Sequence, residues 1–224
     1  MKWKKQKNSF CLIAILGLLA NLAWAQKNYT DYKPQYREWR MNYIVDKIQY
    51  TENEIIFFFR YYSISNGTQV DFWFNEPKQY CLENVDNPEE TFYTTDIRNI
   101  RVGGALKCLS MAELKLTNFT TRIPANVTIT CEVHFPRIPN HISKVHFLEG
   151  KGFRKYDNHF HAFSVQMKQW NDKNLGTAEE RLERIARFEN LNFRPANISA
   201  ERKIWYKPDL NKNLQYNKEA KVRI

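Results

Sequence analysis

His159-Phe160-His161 places two imidazoles two residues apart. In a strand that spacing shares a face, so both rings could meet one metal ion. A site needs a third and usually a fourth ligand, and the neighbouring residues supply none. Glu132 and His134 also share a face of their segment, and they could complete a site only if the two strands lay side by side. His159, His161 and His134 are thus the candidate metal ligands, and exposed strand histidines are the simpler expectation.

Other chemistries find less. Ser110 and Ser164 lack the G-x-S-x-G turn that would expose and activate a hydroxyl. Cys108 could be imagined beside a histidine, but their spacing carries no information. Glu89-Glu90 follows Pro88 in what reads as an exposed turn, not as two carboxyls held roughly 5–9 Å apart across a cleft. With 7 glycines in the chain there is no glycine-rich phosphate loop. No catalytic residue and no cofactor are expected.

Aromatic residues are the remaining lead. Asp71-Phe72-Trp73-Phe74-Asn75 puts Phe72 and Phe74 on one face and Trp73 with Asp71 on the other. If the phenylalanines face the core, Trp73 is left to stack on a sugar or fill a partner's pocket. Trp170 and Trp205 are similar candidates, and each could equally cover the edge of a sheet.

The elements that must position these groups read mostly as strands. Residues 43–50 alternate, and 55–62 are apolar on both faces at their start, as in a central strand. Asn66-Gly67 supplies a hairpin-type turn. Further strands are expected at 70–74, 79–82, 92–94, 98–102, 112–117, 127–135, 143–148 and 160–167, with turns at 87–88, 103–104, 136–139 and 150–152. Short strands at even spacing without intervening helices predict an antiparallel β-sandwich. One helix follows, opened by the capping box Thr177-Ala178-Glu179-Glu180. Leu182, Ile185 and Phe188 form a narrow apolar stripe, and Arg181, Arg184 and Arg187 beside them form either a solvated face or an anion- or partner-binding one. Beyond Asn190 the periodicity fades into an extended tail.

Cysteine usage is mixed. Cys131 alternates with Val127, Ile129, Val133 and Phe135, which predicts a buried small hydrophobe. Cys81 and Cys108 are then the pair left for a disulfide.

The chain's beginning looks like an export signal. Lys2, Lys4, Lys5 and Lys7 precede an apolar run over 10–20, and Ala23-Trp24-Ala25 offers small residues for cleavage after Ala25. A retained anchor would need roughly 20 apolar residues, and Asn21 ends this run first. Cys11 starts the run and does not follow it, so it suits no lipid attachment. Cleavage of the 224-residue, +10 chain would leave 199 residues with no later membrane span and, without the four lysines, a charge near +6. Residues 201–224 hold seven basic and three acidic side chains. Outside the cytoplasm a basic tail meets anionic lipid or wall polymer and not nucleic acid, although solubility alone would explain it. The N-x-S/T triplets at Asn28, Asn66, Asn118, Asn126 and Asn197 are discounted behind a leader of bacterial type.

Ile123-Pro124-Ala125-Asn126-Val127-Thr128-Ile129, then Phe135-Pro136-Arg137-Ile138-Pro139, then Val145-His146-Phe147-Leu148-Glu149-Gly150 occur in that order. Phe163 to Val165 and Trp170-Asn171-Asp172 extend the pattern. Over about residues 38–175 the chain resembles an uncharacterised exported domain family of Gram-negative cell envelopes, similar to immunoglobulin-like sandwiches. Some members are fused to peptidoglycan-binding domains of the outer-membrane-protein-A type. The resemblance implies a mainly β, immunoglobulin-like antiparallel β-sandwich at 38–175, after an extended segment at 26–37 and before a helix and basic tail at 176–224. It brings no catalytic residues. The chain departs from the family by ending in that helix and tail, with no peptidoglycan-binding domain visible. The expectation is a non-catalytic binding or assembly module of the periplasm or outer membrane, or one that is secreted. Its partner would be an envelope protein or a cell-wall or glycan polymer. A carbohydrate-binding or adhesion module, and a small hydrolase or metal-dependent enzyme, are the alternatives.

Overall fold

Side chains that alternate between apolar and polar become strands through most of the chain. The computed structural model describes residues 28–40, 42–151 and 159–193, with the helix side chains as far as Ala186. The leader and its cleavage site, the tail with Trp205, and the side chain of Arg187 lie outside the described residues.

The strands are β1 (Tyr29–Asp31), β2 (Arg37–Glu38), β3 (Tyr43–Tyr50), β4 (Glu54–Tyr62), β5 (Thr68–Trp73), β6 (Tyr80–Asn84), β7 (Thr91–Tyr93), β8 (Asp96–Val102), β9 (Ala105–Ser110), β10 (Asn118–Ile123), β11 (Thr128–Pro136), β12 (Lys144–Glu149) and β13 (His161–Gln166). Helix α1 (Ala178–Phe193) follows. The strands form a six-stranded sheet in the order β1-β3-β4-β11-β8-β9, a five-stranded sheet β2-β13-β12-β6-β7, and a two-stranded ribbon β10-β5. All pairings are antiparallel. The domain is therefore mainly β, with several antiparallel sheets and one short C-terminal helix.

Strand β4 runs between β3 and β11 in the middle of its sheet, which explains why Ile55, Ile56 and Phe57 are all buried. Its inward residues Phe57 and Phe59 join Val133 and Phe135 of β11, and Leu82, Val145, Phe147 and Val165 of the second sheet, in one cluster. Full burial of each such side chain is worth about 1.5–3 kcal/mol, so this shared cluster is the main source of cohesion. A smaller cluster of Trp39, Cys81, Leu148 and Phe163 belongs to the five-stranded sheet alone.

Three sequence expectations are corrected. The segment 112–117 is a turn and not a strand. Asp96 accepts hydrogen bonds from the backbone N–H of Ala112 (2.9 Å) and the hydroxyl of Ser110 (2.7 Å), while Ser110 Oγ accepts from the N–H of Glu113 (3.0 Å). These local bonds outcompete a ladder, and Lys115 takes φ +54°. The strands lie on either side, as β9 and β10. Asn66-Gly67 does turn the chain, with Gly67 at φ +68°, but it closes no hairpin: β5 leaves β4 and pairs with β10. Finally, the polar lead-in is not merely extended, since β1 and β2 add a strand to each large sheet. The two-glycine turn at 103–104 has both φ values positive (56° and 83°), the geometry that closes the β8–β9 hairpin.

Helix α1 begins with the expected capping box. Thr177 N–H donates to Glu180 Oε2 (2.8 Å), and Glu180 N–H donates to Thr177 Oγ1 (3.2 Å). Arg181 and Arg184 are turned toward β3. Arg184 donates to the backbone carbonyls of Asp46 (2.6 Å) and Val45 (3.3 Å). Arg181 lies 3.8 Å from the Asp46 carboxylate, which also receives Arg60 at 3.2 Å. Asp46 is the extra residue of a β-bulge, where Val45 and Lys47 oppose consecutive residues of β4. The bulge thus supplies the anchor that docks the helix on β3.

Asp96 is buried, which would raise its pKa, yet its donors Ala112, Arg98 and Ser110 bring it below the usual carboxylate value. Its stabilisation is therefore present above the unfolded pKa near 4 and lost as pH falls through the lower folded value. Asp96→Ala should cost about 3 kcal/mol in urea unfolding at pH 7 by orphaning those donors, and the deficit should shrink in acid.

Candidate functional site

The ribbon β10-β5 is built from alternating residues whose inward members join the main core. Phe72 is buried, and Phe119 packs partly against it at 6.3 Å between ring centroids. The opposite side of β5 carries Gln69, Asp71 and Trp73. Beside it opens a cleft of about 420 Å³, within the roughly 300–1,000 Å³ common for binding sites. Thr68, Gln69, Val70, Asp71 and Trp73 form one wall. Residues of both parities line it, so the cleft runs along the edge of β5 and not over one of its faces.

The floor is aromatic. Tyr43 stacks on Tyr61 (5.0 Å) and meets Phe160 edge-on (5.3 Å), and Phe160 lies 4.1 Å from Phe59. These rings continue the main core outward to the cleft. Burial raises the pKa of the Tyr61 hydroxyl despite its hydrogen bond to Thr68 and the nearby charge of Arg40. Burial also holds the Tyr80 hydroxyl far up. Both stay neutral hydrogen-bonding groups at physiological pH.

The charged lining is uneven in its engagement. Asp71 accepts from Thr120 Oγ1 (2.6 Å) and Gln69 Nε2 (3.1 Å). Glu149 accepts from the backbone N–H of Phe160 (2.9 Å). The Lys78 ammonium lies 4.9 Å from the centre of the Trp73 ring and meets no carboxylate among the described residues. Gly150, at φ +89°, lets β12 end against the turn before β6: a Cβ there would sit 2.8 Å from the Pro77 carbonyl oxygen. That close approach brings the Lys78 backbone against Gly150.

Of the residues singled out from sequence, the cleft brings together Trp73 and His159. Trp170 is half-exposed and outside it. His161 is buried next to Trp39 and Phe163 (6.1 and 5.8 Å). Burial, with the charges of His159 and Arg40 adding to it, lowers its pKa to about 3. His134 belongs to the six-stranded sheet, where Glu54 approaches Nδ1 (2.9 Å) and Glu132 approaches Nε2 (3.5 Å). The two carboxylates thus occupy opposite edges of the ring and cannot join one ring nitrogen on a single ion. Among the described residues no group of three or more His, Cys, Asp or Glu could hold a metal. Cys81, Cys108 and Cys131 are buried free thiols. The expected Cys81–Cys108 bridge is not formed, because Cys81 packs in the small cluster of one sheet and Cys108 in the main core of the other.

Arg40, Tyr43, Lys78, Glu149 and Phe160 were not found from sequence. They come from four separate stretches, and only tertiary packing assembles them. No family model, curated protein or solved structure matches this chain. Among the described residues no helix is long and apolar enough to cross a membrane, which says nothing of spanning by strands.

Burial lowers the pKa of His134, but its bonds to Glu132 and Glu54 outweigh that and leave it raised. The ion pairs therefore stabilise fully below about pH 6.5 and fade as pH rises through the folded pKa. In an NMR titration His134 should protonate above pH 6.5 while His161 stays neutral to below pH 4. His134→Gln should lose more stability at pH 5.5 than at pH 9.

Proposed function

We propose that this chain is an exported, non-catalytic binding and assembly module of the bacterial cell envelope, with a partner seated in the cleft beside Trp73. The cleft carries this reading: an aromatic floor, the Lys78 ammonium over Trp73 and a strand edge unpaired among the described residues converge there, whereas His134 on β11 does not join the His159–His161 pair, whose rings lie 6.2 Å apart, in a three-ligand group. An enzyme using His134, His159 and His161 together would need them in one place. A glycan-binding platform is favoured by an exposed row of aromatic rings. Here Trp170 is exposed but lies outside the cleft, and the face of Trp73 is approached by Lys78. A protein partner is the better fit.

The domain is read as an immunoglobulin-like sandwich. The support is strand order: β3-β4-β11-β8 in one sheet and β13-β12-β6-β7 in the other follow the A-B-E-D and G-F-C-C′ succession of that class, with β1, β2, β9 and the ribbon as additions. The order agrees with the resemblance to exported envelope domains carried by residues 123–150. The lysine-led apolar leader with Ala23-Trp24-Ala25 after it supports export to the periplasm or outer membrane.

A photo-crosslinking amino acid placed at Gln69, on the cleft wall, and at Leu182, exposed on α1, tests the reading in intact Gram-negative cells followed by fractionation. A discrete adduct from position 69 alone, in the envelope fraction, is expected. Identical patterns from both positions, or release into the medium without an adduct, would refute it.

A further inference from the structure

The backbone of β5 decides what kind of partner suits the cleft. Phe74 N–H donates to Thr117 O (2.9 Å) immediately beyond the paired residues. In an antiparallel ladder, residues that exchange both bonds alternate with residues that exchange none. The register Phe72↔Phe119, Val70↔Thr121 and Thr68↔Ile123 therefore carries the bonds of the ribbon. Gln69, Asp71 and Trp73 turn their N–H and C=O groups the other way. No strand pairs with β5 on that side among the described residues, and that side is the cleft.

We infer that this edge of β5 receives an extended, acidic segment of a partner polypeptide as an added strand. The inference rests on the reading of the cleft as the partner site. Three outward donor–acceptor sets recur at every second residue, about 7 Å apart, which is the repeat of an extended peptide. Such main-chain pairing supplies affinity, while pockets for alternate side chains supply specificity. The rings of Tyr43, Tyr61 and Phe160 offer an apolar floor for those side chains.

The charges select acidic side chains. Lys78 lies over Trp73 at the C-terminal end of β5. Of the two carboxylates in the lining, Asp71 is held by Gln69 and Thr120, and Glu149 by the N–H of Phe160. A strand carrying glutamate or aspartate toward Lys78, which meets no carboxylate among the described residues, complements this end of the edge, and a basic strand does not.

The probes are a capped six-residue peptide of alternating valine and glutamate, its valine–lysine counterpart, and a version of the first with proline at alternate positions. The measurement is NMR of the labelled protein. The valine–glutamate peptide should shift the amides of Gln69, Asp71 and Trp73 and slow their exchange, and the lysine and proline versions should bind at least tenfold more weakly. Gln69→Pro removes one outward N–H without touching a ribbon bond and should weaken binding at least tenfold. Arg122→Pro, which removes the equivalent N–H on the far edge of β10, should leave it unchanged. Lys78→Glu should reverse the preference between the acidic and basic peptides. Because the proline peptide asks the same question from the ligand side, a misfolded Gln69→Pro protein leaves the test intact.

Equal binding of the proline peptide, or no response at those three amides, overturns the strand addition. Shifts of the cleft residues by soluble wall glycan fragments but by no peptide would sink this inference and leave the cleft as the partner site. Self-association through β5, seen by sedimentation and abolished by Gln69→Pro, would replace the acidic partner with a second copy. If the position-69 adduct is also missing in cells, the functional reading fails with it.

Discussion

Phe147 of the five-stranded sheet lies against Phe57 and Phe135 of the six-stranded sheet, at 5.0 and 5.7 Å between ring centroids, and against Tyr80 and Phe160 at 5.3 and 5.2 Å. Aromatic pairs in such tilted and edge-on arrangements add about 0.5–1.5 kcal/mol beyond their buried area. This cluster ties the two sheets together. It also does not stop at the core: through Phe160 it reaches Phe59 and Tyr43, whose rings form the floor of the cleft. A cleft floor that extends the core is held in place by the same packing, and the ribbon wall is tied to it through Phe72 and Ile123.

Around this apolar centre, buried charges fix the elements that apolar packing alone would leave free to slide. Asp46 gathers Arg60 and Arg181 and so holds the helix. Asp96 fastens the turn after β9. His134 joins Glu54 on β4 to Glu132 on its own strand. Each lies at or beside a departure from regular structure, and the bulge at Asp46 exists where the anchor is needed.

Much of the strand pattern was legible because period-2 alternation and β-branched or aromatic runs report burial directly: β3, β4, β11, β12 and β13 fall within a residue or two of expectation. The capping box of α1 was equally readable, since its bonds span three residues. What failed depended on distant partners. The alternation at 112–117 was real, but Asp96 claimed its backbone. Strand β9, with Leu106 and Leu109 exposed at the sheet edge, carried no inward-outward signature. Arg181 and Arg184 of α1 looked available because nothing near them in sequence reveals Asp46. For the cleft, Trp73 was legible as the odd ring out of an otherwise core-facing pair, and His159 as half of a histidine pair. Arg40 and Lys78 were ordinary surface residues until the fold placed them in the lining of one cleft.

Three buried thiols have a consequence for how such a chain matures. Burial pushes Cys81 up to about 12 and raises Cys108 and Cys131 as well, so the folded domain presents almost no reactive thiolate. In an oxidising compartment, immunity of this sort begins only once the sheets have closed over their sulfurs. A newly emerged chain has no such cover. A bridge from Cys81 to either of the others would tether strands that belong to different sheets. Under the export proposed above, collapse and oxidation would compete, and a crosslink made before the sheets close would hold the chain out of this fold.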